Sequence, residues 1–114
     1  MSITVYGIPN CDTVKKARDW LDAQGIAYTF HDYKKLGADP AKLAAWVAAA
    51  GWESVLNRAG TTFRKLPDAD KQGLDAAKAV ALMAANPSCI KRPVLEHPSG
   101  LLVGFKADQW AAAF

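Results

Sequence analysis

A mixed sheet with helices packed on it, an α/β fold, is predicted by three observations. The chain opens strand, helix, strand; its middle is helical; and it closes with two short apolar runs and a last helix. Residues 3–8, ITVYGI, are rich in β-branched and aromatic side chains and apolar on both alternating faces, as in a central strand covered on both sides. Pro9 and Asn10 end it. DTVKKARDWLDAQG then places Val14, Ala17, Trp20, Leu21 and Ala23 at helical spacing up to Gly25, a C-terminal stop. Residues 26–33, IAYTFHDY, make a second strand, and strand, helix, strand at this spacing favours a right-handed parallel crossover.

In the middle, Pro40 follows Asp39 as a first-turn residue and PAKLAAWVAAAG runs alanine-rich to Gly51, which reads as a helix. WESVLN is a short helical piece, and RAGTTFRKLP reads as a loop. ADKQGLDAAKAVALMAANP suits an amphipathic helix on Leu74, Ala77, Val80 or Ala81 and Met83 or Ala84, ending before Pro87. Residues 39–87 are thus expected to be an all-helical insertion. RPVLEH, the turn PSG and LLVGF read as an antiparallel hairpin, and ADQWAAAF as a closing helix. Without an internal repeat or low-complexity linker, residues 1–114 are expected to form one domain.

With 51% hydrophobic and 22% charged residues and four tryptophans to shelter, the 114-residue chain is not a disordered one. Two cysteines cannot form the disulfide framework of a small secreted domain, so a reducing compartment is expected. The start MSITVYGIPN lacks a basic segment followed by a long apolar run, and no stretch reaches the roughly 18 apolar residues of a membrane span. A cytoplasmic protein with no membrane partner is the expectation. The net charge of +3 suits small anions, but basic and acidic residues are interspersed, which does not favour nucleic acid as a partner.

Cys11 is the most informative residue. It falls in the turn between the first strand and first helix, where unbonded backbone N–H groups and the positive end of the helix dipole favour a thiolate. Lys15 and Lys16 follow about one turn later and could add to that stabilisation. The competing reading is a small buried cysteine at a strand end. Arg92-Pro93 comes second: a proline opening a strand fixes the backbone and is a candidate for a cis bond, while Arg92 offers a planar fork for an oxyanion or carboxylate, or is simply a solvated surface residue. Arg58 and Arg64, flanking AGTTF, carry the same two readings.

Cys89, in PSCIKRP, is read as a partly buried structural cysteine, a resolving thiol only if the fold carries it to Cys11. The fourth position of CDTV is Val14, so there is no local dithiol. His31 and His97 have no metal-ligand spacing, so no metal site is expected, and His97 in EHPSG reads as a turn residue. No glycine-rich phosphate loop or Ser-His-Asp set stands out, and Trp46 and Trp52 on the alanine-rich stretch suit core packing.

A cysteine after the first strand, a helical middle and a proline opening a late strand together resemble the thioredoxin fold, here a mixed four-stranded sheet. More specifically, YGIPNCDTVKKARDWL, FHDYKK, GWESVLNRAGTTFRKL and IKRPVLE are similar to the arsenate reductase (ArsC) and Spx-like family of the glutathione-coupled type, its YffB-type subgroup above all. The resemblance runs nearly end to end. It implies that Cys11 is the nucleophile, that Arg92 is the arginine preceding a cis-proline at Pro93, and that Arg58, or Arg64 in its place, contacts the oxyanion. It also implies that the backbone before Pro93 pairs with the glutathione cysteine, with Arg92 and Lys15 holding carboxylates or a product oxyanion. Family arsenate reductases carry a further arginine just after the last strand; this chain has Gly104 and Phe105 there, and nearby Lys106 cannot reproduce a bidentate fork.

The resemblance thus implies a glutathione-dependent thiol reductase with one redox-active cysteine, related to arsenate reductases. It would bind no cofactor and would use glutathione as co-substrate, with glutaredoxin as a further partner and a disulfide or a small anion as substrate. The alternative is an Spx-like regulatory or partner-binding protein without turnover. The Spx branch carries a C-x-x-C switch, which Val14 breaks here.

Overall fold

The computed structural model describes residues 3–98 and 100–114. Strand β1 (Thr4–Gly7) leads into helix α1 (Asp12–Ala23), β2 (Thr29–Asp32) and a single helical turn, α2 (Tyr33–Leu36). Helices α3 (Pro40–Ala50), α4 (Trp52–Val55), α5 (Thr61–Arg64), α6 (Asp68–Lys71) and α7 (Ala76–Ala85) follow, then a 3-10 turn at Pro87–Cys89. Strands β3 (Val94–His97) and β4 (Gly100–Val103) and helix α8 (Ala107–Ala113) close the chain. Ser99, the middle of the expected PSG turn, lies outside the described residues, as do Met1 and Ser2. The chain divides into two compact units: Met1–Leu36 with Arg92–Phe114, and Gly37–Lys91.

The first unit is built on the four-stranded sheet, in the order β2-β1-β3-β4. β1 pairs in parallel with β2 and antiparallel with β3, so the strand read as central is central, and the crossover through α1 is the expected parallel one. β3 and β4 form the expected antiparallel pair. Register places Val5 beside Phe30 on one side and Leu95 on the other, with Leu102 beyond. These four share a face because side chains alternate along strands. Ala17 and Leu21 of α1 and Trp110 of α8 pack on that row, all fully buried with Val5 and Leu95. Trp110 satisfies its indole by donating to the Gly104 carbonyl at 3.1 Å, and its ring meets Phe105 and Trp20 edge-on at centroid distances of 4.9 and 6.0 Å.

The second unit is helical. Leu43, Trp46 and Val47 of α3 and Ala79, Leu82 and Met83 of α7 are buried at spacings i, i+3, i+4, one stripe per helix. Both starts are capped by aspartate: Asp39 accepts from the Ala41 N–H at 3.0 Å with Pro40 in the first turn, and Asp75 accepts from the Lys78 N–H at 2.8 Å.

Four sequence expectations are corrected. RAGTTFRKLP, read as a loop, contains the helical turn α5. The helix read from Ala69 is interrupted, because Gln72 is extended and Gly73 is left-handed at φ +61°, so α7 starts only after its cap at Asp75. The second strand is Thr29–Asp32 rather than 26–33: at its start the Ile26 N–H still donates to the Leu21 carbonyl of α1 at 3.0 Å, and at its end the Asp32 carboxylate accepts from the Lys34 and Lys35 N–H groups at 3.1 and 3.2 Å and turns Tyr33 into α2. His97 ends β3 rather than lying in the turn, its ring 5.7 Å from that of Phe114. Among the described residues, no helix is long and apolar enough to cross a membrane.

Gly7 fixes how α1 meets the sheet. A Cβ there would lie 2.9 Å from Val14 Cγ2 and 3.3 Å from Cγ1, and valine is stiff at χ1, so the methyls cannot turn aside cheaply. Gly7→Ala is expected to destabilise the protein by about 1–3 kcal/mol in urea unfolding. Most of that loss should disappear when the same change is made in a Val14→Ala background, which removes the clash; an equal loss in both backgrounds would refute this packing account.

Candidate functional site

Beyond β1 the chain turns through Pro9 and Asn10, closed by the Cys11 N–H donating to the Ile8 carbonyl at 3.2 Å. The Cys11 carbonyl accepts from the Lys15 N–H at 2.9 Å, so Cys11 ends the turn and is also the N-cap residue of α1. Its backbone is extended, its side chain forms no capping hydrogen bond, and it is half-buried. The thiol therefore occupies the position where serine or aspartate would accept a hydrogen bond from the first-turn N–H groups. Lys15 and Lys16 follow within α1, both exposed; Lys15, four residues on, shares the Cys11 side of the helix. Asp12, also exposed, adds a negative charge to the first turn.

The other end of the site comes from strand register. Because Tyr6 pairs with Val94 in an antiparallel ladder, β3 begins at the end of the sheet where β1 stops. Arg92 and Pro93 precede β3 there, joined by a cis peptide bond. Pro93 is buried with its carbonyl accepting from the Gly104 N–H at 2.8 Å, and Arg92 is half-buried. Cys11, Lys15, Arg92 and Pro93 thus belong to one end of the first unit.

Arg58 and Arg64 belong to the second unit. The Arg58 guanidinium lies 3.8 Å from Glu53 and 5.4 Å from the Trp52 ring, an exposed pairing worth little to stability. Arg64 is exposed at the end of α5, and its carbonyl accepts from Lys71 Nζ at 3.0 Å. Cys89 is buried in the 3-10 turn at 1% exposure, and its carbonyl accepts from the Asn57 N–H at 2.7 Å. Neither cysteine is in a disulfide. Just after β4, Gly104 takes φ +77° and Phe105 packs on Trp110, while Lys106 is the exposed residue before α8.

Two groupings escaped the sequence reading. On the sheet face opposite α1, the Tyr6 hydroxyl donates to Glu96 at 2.7 Å and the Tyr6 ring lies 5.0 Å from His31, its register partner on β2. An acid two residues into an apolar strand was the available signal. On the α1 side, Arg18 Nε donates to the Tyr28 hydroxyl at 3.1 Å and the guanidinium lies 4.2 Å from the Phe30 centroid. Its signal was an arginine beside the helix stripe of Ala17 and Leu21.

The ArsC family pattern matches residues 6–113, which covers both the cysteine turn and the cis-proline. The chain belongs to the ArsC family. A solved structure named YffB (PA3664) protein is 60% identical over 98% of each chain and superposes with a TM-score of 0.96. An arsenate reductase (ArsC) related protein from Brucella melitensis is 58% identical over 98% of this chain and 93% of that one, with a TM-score of 0.77. The global transcriptional regulator Spx of Streptococcus mutans is 26% identical over 94% of this chain and 79% of its own length. The fold is accordingly the thioredoxin-like one of ArsC-family proteins, and the YffB-type resemblance holds.

The difference in burial between the two thiols has a direct consequence. In native protein, iodoacetamide is expected to modify Cys11, with Cys89 reacting only in denaturant, as read by peptide mass spectrometry; equal native labelling would contradict the burial of Cys89.

Proposed function

We propose that this ArsC-family chain is a glutathione-dependent thiol reductase with Cys11 as its single nucleophile. The observation that carries the reading is the placement of a half-buried N-cap thiol at the same sheet end as Arg92 and cis-Pro93, with no second cysteine nearer than Cys89 in sequence. Cys11 is the N-cap residue of α1 and only half-buried, so its sulfur is open to a substrate from solution.

With a disulfide substrate, the Cys11 thiolate attacks one sulfur, forming a mixed disulfide and expelling the other sulfur as a thiolate. Glutathione thiolate then attacks the substrate sulfur of that adduct, which restores the Cys11 thiolate and leaves the substrate joined to glutathione. A second glutathione, or a glutaredoxin, reduces that product, and glutathione disulfide carries away the two electrons. With arsenate, the Cys11 sulfur would displace an oxygen as water. Glutathione attack on that sulfur would then release arsenite and leave Cys11 bonded to glutathione, for the same thiols to reduce. Arg92 and Lys15 supply positive charge for carboxylates or an oxyanion, and the backbone before Pro93 pairs with the glutathione cysteine. Arg58 and Arg64 are the candidates for a further oxyanion contact. Thiol-based resolution suits a cytoplasmic setting, where glutathione is reduced.

The second reading, a regulator without turnover, is favoured by the similarity to Spx. One variant separates the two. Cys11→Ser is expected to lower glutathione-dependent disulfide reduction by roughly 10³-fold or more, whereas full biological activity without the thiol would sink the enzyme reading. Incubation with oxidised glutathione should leave a mass adduct on Cys11 and none on Cys89; an adduct on Cys89 alone would move the site.

Arg92→Lys retains charge but loses the planar fork, and should lower kcat/KM about 10-fold to 100-fold. An unchanged value would remove Arg92 from the site. Arsenate turnover with glutathione and glutaredoxin is expected to be weak or absent, because this chain has Gly104 and Phe105 where the resemblance leads one to expect a further arginine.

A further inference from the structure

Away from the Cys11 end, the first unit holds an open cleft of about 390 Å³, lined by Arg18, Asp22, Ile26, Ala27, Tyr28 and Phe30. Its most notable wall is Arg18. The guanidinium is held twice, by Nε donating to the Tyr28 hydroxyl at 3.1 Å and by lying 4.2 Å from the Phe30 centroid. Neither interaction uses the two terminal NH2 groups. Asp22, one turn further on, lines the same cleft, yet among the described residues no ion pair joins Arg18 to Asp22 or to any other carboxylate. A half-buried guanidinium has thus been oriented by aromatic rings, and its two-pronged end is left for an acceptor from outside.

The cleft borders an unpaired strand edge. β2 is the terminal strand of the sheet, and the Thr29 N–H is directed inward, donating to the Ile3 carbonyl at 2.9 Å. Backbone groups alternate in direction along a strand, so the N–H and C=O of Phe30 point away from β1 toward the open side. Thr29 and Ala27 on this edge are exposed. The Phe30 side chain, which shares a face with Val5, is on the α1 side of the sheet with the cleft. A strand laid against β2 would bond to the Phe30 backbone and would direct every second side chain to that same side.

We propose that this edge is a docking site for an extended segment of a partner protein that carries one glutamate, the segment adding to β2 and its carboxylate seating on the terminal NH2 groups of Arg18. Charge selects the occupant. A carboxylate carries one negative charge and matches the planar fork, whereas Asp22 on the same wall disfavours a doubly charged phosphate. The apolar parts of Ile26, Tyr28 and Phe30 suit the aliphatic stem of a glutamate. Nothing in this docking mode uses Cys11 or Arg92, so it is independent of the reductase reading.

The test is a titration of the isotopically labelled full chain, followed by amide NMR. The probe is a capped heptapeptide of alternating threonine and valine with glutamate at its centre, and the control carries glutamine there. The glutamate peptide is expected to shift the amides of residues 27–32 saturably and to bind about tenfold more tightly than the glutamine peptide. Arg18→Lys, which keeps the charge and loses the fork, should reduce that preference to about twofold or less while the backbone shifts persist. Changing the peptide tests the carboxylate without any risk to folding. Equal binding of the two peptides would overturn the proposal, as would shifts confined to other residues or no saturable shift at millimolar peptide. Shifts of the same amides on concentrating the protein alone would assign the edge to a second copy of this chain and would also overturn it.

Discussion

The approach of α1 to the end of β1, with no side chain between them at Gly7, is the constraint on which the first unit depends. Val14 fills the space that any larger residue would occupy, and it does so in the first turn of the helix. Contact at that point leaves only Ile8–Cys11 to reverse the chain, which is why one residue both closes the turn and caps the helix. A less intimate contact would need a longer connection, and Cys11 would no longer be the N-cap residue of α1. The chemical environment of Cys11 is therefore set by a missing methyl four positions before it.

The sheet carries the rest of that arrangement across to Arg92. β1 is hydrogen-bonded on both sides, in parallel to β2 and antiparallel to β3, so its C-terminal end has the start of β3 beside it. The two faces have different characters. One is a row of aliphatic and aromatic side chains under α1 and α8, with burial as its main stabilising contribution. The other carries Tyr6, His31 and Glu96, joined by a phenol-carboxylate hydrogen bond that matches β1 to β3 through polar geometry as well as through apolar pattern.

Much of this was legible in the sequence wherever one local signal was sufficient. The first strand, its helix and the closing hairpin follow from periodicity and turn residues. Cys11 and Arg92-Pro93 are recognisable because each sits at a junction between elements, where chain geometry restricts the possibilities. Legibility ended where a side chain decided the backbone: Asp32 draws Tyr33 into a helical turn, and Gly73 and Asp75 together postpone α7. It also ended where function depends on side-chain direction. Arg18 looks like an ordinary helix-surface residue until Tyr28 and Phe30 are seen to orient it. The lengths of α5 and α6, four residues each, are below what helical periodicity can reveal.

The four tryptophans are distributed two to each unit, Trp20 and Trp110 in one and Trp46 and Trp52 in the other. Intrinsic fluorescence is consequently a sum of two local reports. Trp110 emits from a dry site with its indole hydrogen-bonded to a carbonyl, while Trp52 is half-buried beside the exposed Arg58 guanidinium and emits from a wetter one. A chain stripped of one pair by conservative replacement becomes an optical probe of the other unit alone. The sheet-bearing part and the helical part can then be followed separately in a protein that needs no attached dye.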